Sequence, residues 1–227
     1  MRLPAVALLI GLATALHAVA APPALPTIAV LYFEYDGSDM PLSDARKGLT
    51  AMLVSELSGD PGYLVVERER FQSLLTEQKL QRSARFDATT TARIGLLLGA
   101  RFLVLGSYLV LSGTLRVDAR IVEVETGRIV RTAGASGTAS DMMPLVQTIA
   151  EALRKGLSES LPPTVPRSTP RVSRPKKLAL LTAARYGRAL EAADIGDSVT
   201  AAAELRTVLD EQPDFALAKA TLERLVK

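Results

Sequence analysis

The sequence predicts an α/β fold: a domain with a mixed β-sheet and helices packed on it, followed by a small all-α tail. Three observations predict it. The first part of the chain alternates strand-like and helix-like segments. It then runs through three consecutive strand-like segments separated by tight-turn residues. Beyond residue 177 the pattern is helical only.

Each element follows from its own residues. Thr27 to Tyr35 (Thr-Ile-Ala-Val-Leu-Tyr-Phe-Glu-Tyr) is nearly all apolar and rich in strand formers, so it reads as a strand buried on both faces. Asp36-Gly-Ser-Asp39 is a turn; it lacks the spaced ligands and closing glutamate of a calcium loop. Leu42 to Leu57 has apolar residues at helical spacing, at Leu42, Ala45, Leu49, Met52, Leu53 and Leu57, with Ser43 or Asp44 as cap. Gly59-Asp-Pro-Gly62 stops that helix, and Tyr63 to Val66 is a second short strand.

Glu67 to Leu80 reads as a helix whose Glu67-Arg68-Glu69-Arg70 start is a charged, solvated first turn rather than an acid/base cluster. Asp87 or Thr89 caps the next helix, which Gly99 ends in the left-handed conformation. Phe102 to Leu111 and Thr114 to Glu125 flank the turn Ser112-Gly113, and Gly106 marks a close approach inside the first strand. Leu115, Val117, Ala119 and Ile121 point one way, and Arg116, Asp118 and Arg120 the other. Val122 and Val124 break that phase, which predicts a bulge. Arg128 to Ser136 is a further strand, and Met142 to Leu161 a helix.

Four regions follow: a signal peptide over 1–20, the α/β domain over 24–161, a proline-rich basic linker over 162–177 and the helical tail over 178–227. The leader combines Arg2, the apolar run Leu3 to Leu16 and the small-x-small site Ala18-Val19-Ala20. That run falls short of the roughly 20 residues a spanning helix needs. The linker holds five prolines and five basic residues, a composition that favours an extended, solvated chain.

Composition excludes several chemistries. There is no cysteine, and the single histidine, His17, lies inside the leader. Thiol nucleophiles, Ser-His-Asp triads, His/Cys zinc sites, disulfides and lipidation at a lipobox cysteine are therefore ruled out for the exported chain. No phosphate-binding glycine loop and no Gly-x-Ser-x-Gly elbow is present. No catalytic, cofactor or metal residue is expected. A formal charge of +3 is too small to argue for nucleic acid.

The tail from Tyr186 to Ala220 resembles one tetratricopeptide (TPR) unit. Alanines allow close packing, Gly196-Asp197 turns the chain, and Pro213 opens the next helix. One unit leaves an apolar face, including Leu205, Leu209, Phe215 and Leu222, that predicts a partner-binding surface reaching away from the domain on the extended linker.

Arg70-Phe71 with Leu74-Leu-Thr-Glu-Gln78, Gly99-Ala100 before a strand, and the strand and turn from Asp118 to Gly127 occur together in this order. This set resembles the CsgG-like family of curli production assembly/transport proteins, over about Thr27 to Leu161. The resemblance implies a three-layer α/β periplasmic domain in a non-enzymatic envelope protein supporting secretion or surface-structure assembly. Its implied partners are envelope or secreted proteins and further copies of the chain, with membrane association but no lipidation site. Alternatives are an oligomeric outer-membrane pore component and a hydrolase using a carboxylate pair. The pore members of the family are lipoproteins with long membrane-crossing hairpins. Here the one hairpin of adequate length, Phe102 to Glu125, is needed for the domain's own sheet. N-terminal sequencing of the exported protein is expected to begin at or next to Ala21; a chain still starting at Met1 would point to membrane anchorage instead.

Overall fold

The computed structural model describes residues 25–78, 88–161, 175 and 177–226. The leader, Leu80, Asp87 and all of the linker except Pro175 and Lys177 lie outside the described residues.

The sheet order is β3(Leu64–Val65), β1(Thr27–Val30), β4(Phe102–Leu111), β5(Thr114–Glu123), β6(Ile129–Thr138), and β2(Glu34–Tyr35) also pairs with β4. Pairing is parallel for β1 with β3 and β4 and for β2 with β4, and antiparallel through β4, β5 and β6. The sheet is mixed, as the sequence implies. Helices α1(Met40–Ser43), α2(Ala45–Leu57), α3(Arg68–Glu77) and α4(Ala88–Leu98) lie between the strands in sequence, and α5(Met143–Ser160) follows β6.

Two cores make three layers. On one face Phe102, Val104, Tyr108, Leu115, Val117 and Ile121 pack with Met52 and Leu53 of α2 and Ile149 and Leu153 of α5. On the other, Ala29, Leu31, Leu103 and Val124 pack with Phe71 and Leu75 of α3 and Ile94 and Leu98 of α4. Residues of β1 alternate between these two cores, so the strand is covered on both faces.

The expected single strand from Thr27 to Tyr35 is two strands. Around Leu31–Phe33 side chains replace ladder partners: Phe33 N–H donates to Thr50 Oγ1 (3.3 Å), the Thr50 hydroxyl donates to the Leu31 carbonyl (3.2 Å), and Arg46 Nε donates to the Phe33 carbonyl (3.2 Å). The Phe33 ring then lies on Gly106, where a Cβ would overlap it. The close approach expected at Gly106 is thus made by Phe33. The helix expected from Leu42 to Leu57 is likewise split at Asp44, whose carboxylate pairs with Arg188 (3.3 Å) rather than capping α2.

Other boundaries agree with the sequence. Gly99 ends α4 at φ +64°, and Ser112 (φ 50°) and Gly113 (φ 78°) form the two-residue turn between β4 and β5. The predicted bulge falls between Ile121 and Val122. Thr89 lies inside α4 rather than capping it.

The tail comprises α6(Leu180–Asp194), α7(Ser198–Glu211) and α8(Ala216–Leu225), with Pro213 in the turn before α8 rather than at its start. It does not reach away from the domain. Helix α6 packs along α2, and the tail's apolar residues join the same core as α2 and α5. Glycines set the approach: a Cβ at Gly187 would overlap the Asp44 carbonyl, and one at Gly48 would stand 2.5 Å from the Ala183 carbonyl oxygen. Backbone bonds tie the start of the tail to the end of β6, with Met142 N–H donating to the Leu178 carbonyl (2.8 Å) and Leu180 N–H to the Ala139 carbonyl (2.8 Å).

A largely buried ionic cluster closes the far end of α6. Arg68 grips Asp194 through two hydrogen bonds of 2.8 and 3.0 Å. Lys47 also bonds Asp194, reaches Glu191 at 2.6 Å and lies 5.4 Å from the centre of the Tyr32 ring. The expectation that Arg68 belongs to a solvated first turn is corrected: it is buried because the tail supplies its carboxylate. Replacing Gly187 by Ala is expected to destabilise the fold by about 1–3 kcal/mol, because a backbone carbonyl must move. Asp194→Asn is expected to cost about 3–5 kcal/mol by taking from buried Arg68 the carboxylate it grips, Lys47 keeping Glu191. Urea unfolding monitored by circular dichroism measures both; unchanged midpoints would show that the α2–α6 contact contributes nothing.

Candidate functional site: the open face of the three-stranded meander

The two cores do not cover the sheet equally. The α5 side of β5 is closed, with Leu115, Val117, Ala119 and Ile121 buried, while Arg116, Asp118 and Arg120 are exposed on the opposite side. Helices α3 and α4 occupy the β1 end of that second face. Among the described residues, no helix covers it over β5 and β6.

The register arranges the exposed side chains. Ser107 pairs with Asp118, which pairs with Gly134; Arg116 pairs with Ser136, and Arg120 with Thr132. Glu34 of β2 stands beside Ser107 on β4. An open groove of about 510 Å³ runs over this ground, lined by Tyr32, Glu34, Asp36, Ser107, Asp118, Arg120 and Thr132 among others.

Arg116 holds Asp118 in a two-pronged contact of 2.5 and 2.8 Å and donates to the Ser136 hydroxyl at 3.3 Å. The pair lies across Gly134, where a Cβ would run into both side chains. Hydrogen bonding from Arg116 holds the Asp118 carboxyl below the usual carboxylate range. Asp118 is therefore an ionised acceptor at neutral pH and is not suited to act as a general acid. Among the described residues no group of three or more Asp, Glu, His or Cys is arranged to hold a metal ion. The groove offers charged and hydroxyl side chains on a flat sheet, which suits non-covalent recognition.

The tail residues expected to bind partners are elsewhere. Leu205 and Phe215 are 0% and 1% exposed, and Leu209 and Leu222 are half-buried against the same core. Phe215 meets the Tyr186 ring edge-on at 5.0 Å. The face they form is thus spent mainly on contacts within the chain. The groove residues were not anticipated as a site. The available signal was the outward row Arg116, Asp118, Arg120; what nothing local revealed is that helices leave this part of the face uncovered.

Comparison with known proteins gives one family. Residues 13–111 match the family described as "Curli production assembly/transport component CsgG". No curated protein matches the chain significantly. Similar solved structures include the LpoB C-terminal domain from Salmonella enterica, at 14% identity and TM-score 0.41 over 52% of this chain and 87% of that one. Lipoprotein GNA1162 from Neisseria meningitidis is similar at 17% identity and TM-score 0.45, over 60% of this chain and 99% of that one. The PelC dodecamer from Paraburkholderia phytofirmans is similar at 16% identity and TM-score 0.35, over 59% and 91%. Likenesses of this size carry no inference about function. The motifs at Arg70–Gln78 and Gly99–Ala100 fall inside the matched span, and that from Asp118 to Gly127 falls beyond it. From residue 13 to the end of β4 at Leu111, the chain matches the CsgG family that its sequence motifs indicate.

Proposed function

We propose that this chain is an exported, non-enzymatic envelope protein that supports secretion or surface-structure assembly through protein contacts. The CsgG match over residues 13–111 carries this reading. The apolar leader with its small-residue site favours export. The open face of β5 and β6 supplies a place for protein contact, and its Arg116–Asp118 pair favours recognition over acid/base chemistry.

One observation favours an assembly factor over a pore subunit. The structure holds two hairpins of adequate length rather than the one expected, since β6 matches β4 and β5 at ten residues, and the β4–β5 hairpin is committed to the domain. Strand β4 is paired with β1, β2 and β5, and both strands bury side chains in the main core. Freeing the hairpin would expose Tyr108, Leu115, Val117 and Ile121. Among the described residues, no helix is long and apolar enough to cross a membrane.

Fractionation tests the reading. The full chain, produced with its own leader in a Gram-negative host, is expected in processed form in the osmotic-shock fraction. Retention in the cytoplasm would overturn the proposal. Extraction only by detergent, as an oligomer resistant to dodecyl sulfate, would favour the pore.

A further inference from the structure

We infer that β6 is a pairing edge for a second copy of this chain, with the two β6 strands joined antiparallel about a two-fold axis at Gly134. The inference goes beyond the envelope reading and does not depend on it.

The two sheet edges differ in a way that matters. The β3 edge is two residues long, a common way to prevent edge-to-edge pairing. The β6 edge is ten residues long, and among the described residues only β5 pairs with it. Two of the usual guards are missing: no proline or lysine occurs from Ile129 to Thr138. The bulge of this hairpin sits at its Ile129–Arg131 end, so residues 132–138 continue in regular register with β5. No β6 residue is fully buried, including Arg131, Ala133, Ala135 and Gly137 on the α5 side. The strand therefore offers a row of backbone donors and acceptors to a neighbour.

The sequence of the strand identifies that neighbour. Centring the axis on Gly134 uses the strand from Arg131 to Gly137, clear of the irregularity at Val130. Thr132 then falls opposite Ser136 of the copy, and Ala133 opposite Ala135. Arg131, the strand's only charge, falls opposite Gly137 and never opposite itself. Each pair keeps both side chains on the same face, so the α5 side of one sheet continues into the α5 side of the other. Large residues meet small ones and no like charges are opposed, which makes the strand its own complement.

Purified full-length chain tests this by sedimentation equilibrium, with a concentration-dependent dimer expected. The variant Thr132→Glu/Ser136→Glu places glutamates opposite glutamates across the axis. Within one chain the new acids lie beside Arg120 and Arg116, so the monomer keeps favourable neighbours. It is expected to dimerise at least about tenfold more weakly with unchanged circular dichroism. Mixing it with Thr132→Lys/Ser136→Lys is expected to restore association as a heterodimer. Because the chain has no cysteine, Thr132→Cys/Ser136→Cys provides a second readout, a disulfide-linked dimer under mild oxidant. A chain that stays monomeric, or a dimer indifferent to the glutamates and not captured by the cysteines, would overturn the inference.

Discussion

Helix α2 must be covered on two sides, and the rest of the molecule is arranged around that requirement. Its buried residues, Ala45, Gly48, Leu49, Thr50, Met52, Leu53, Val54, Glu56 and Leu57, leave little polar surface along thirteen residues. A helix that is apolar most of the way round cannot sit on a sheet with its back in water. The sheet takes one side and α6 the other. Gly48 and Gly187 let the two helices approach to backbone contact, which binds the tail into the main core.

The ionic cluster gives this contact direction. Apolar packing alone tolerates sliding, whereas Asp194 meets Arg68 and Lys47 in only one placement of α6. Tyr32 joins the arrangement by accepting from Arg68 (3.3 Å) and donating to Gln72 (2.8 Å), and burial pushes its hydroxyl well above the usual tyrosine range. The cluster thus links α2, α3, the β1–β2 connection and the tail. Such pairs contribute little net stability against an apolar replacement, but breaking one leaves a buried charge, so they penalise any other docking.

Committing helices in this way determines what stays open. With α2 and α5 on one face and α3 and α4 at the β1 end of the other, the outward side of β5 and β6 is left to polar side chains. What remains exposed among the described residues is a charged sheet surface and the β6 edge. The apolar residues of the tail are largely withdrawn from solvent.

Local patterns were enough for most of the strands and helices, but not for the breaks at Leu31–Phe33 and Asp44, which lie at contacts with distant residues. Alternation along Leu115–Ile121, the turn at Ser112-Gly113, the stop at Gly99 and the bulge near Val122 are short-range consequences of side-chain period and backbone sterics, so they were legible without tertiary context. The family motifs were legible for the same reason. The position of the tail was not. An apolar face at Leu205 and Phe215 declares that something must cover it, but not whether the cover is a partner or the same chain. The absence of a polar face in the segment from Ala45 to Leu57 was the missing half of that argument. Charge was equally ambiguous: Arg68 reads as a surface residue until Asp194, far along the chain, arrives beside it. By itself the sequence determined most of the elements, their order and the absence of cysteine from the chain. Only the tertiary structure decided which faces are used up against each other and which remain exposed, because covering a face is a contact between distant segments that no local period records.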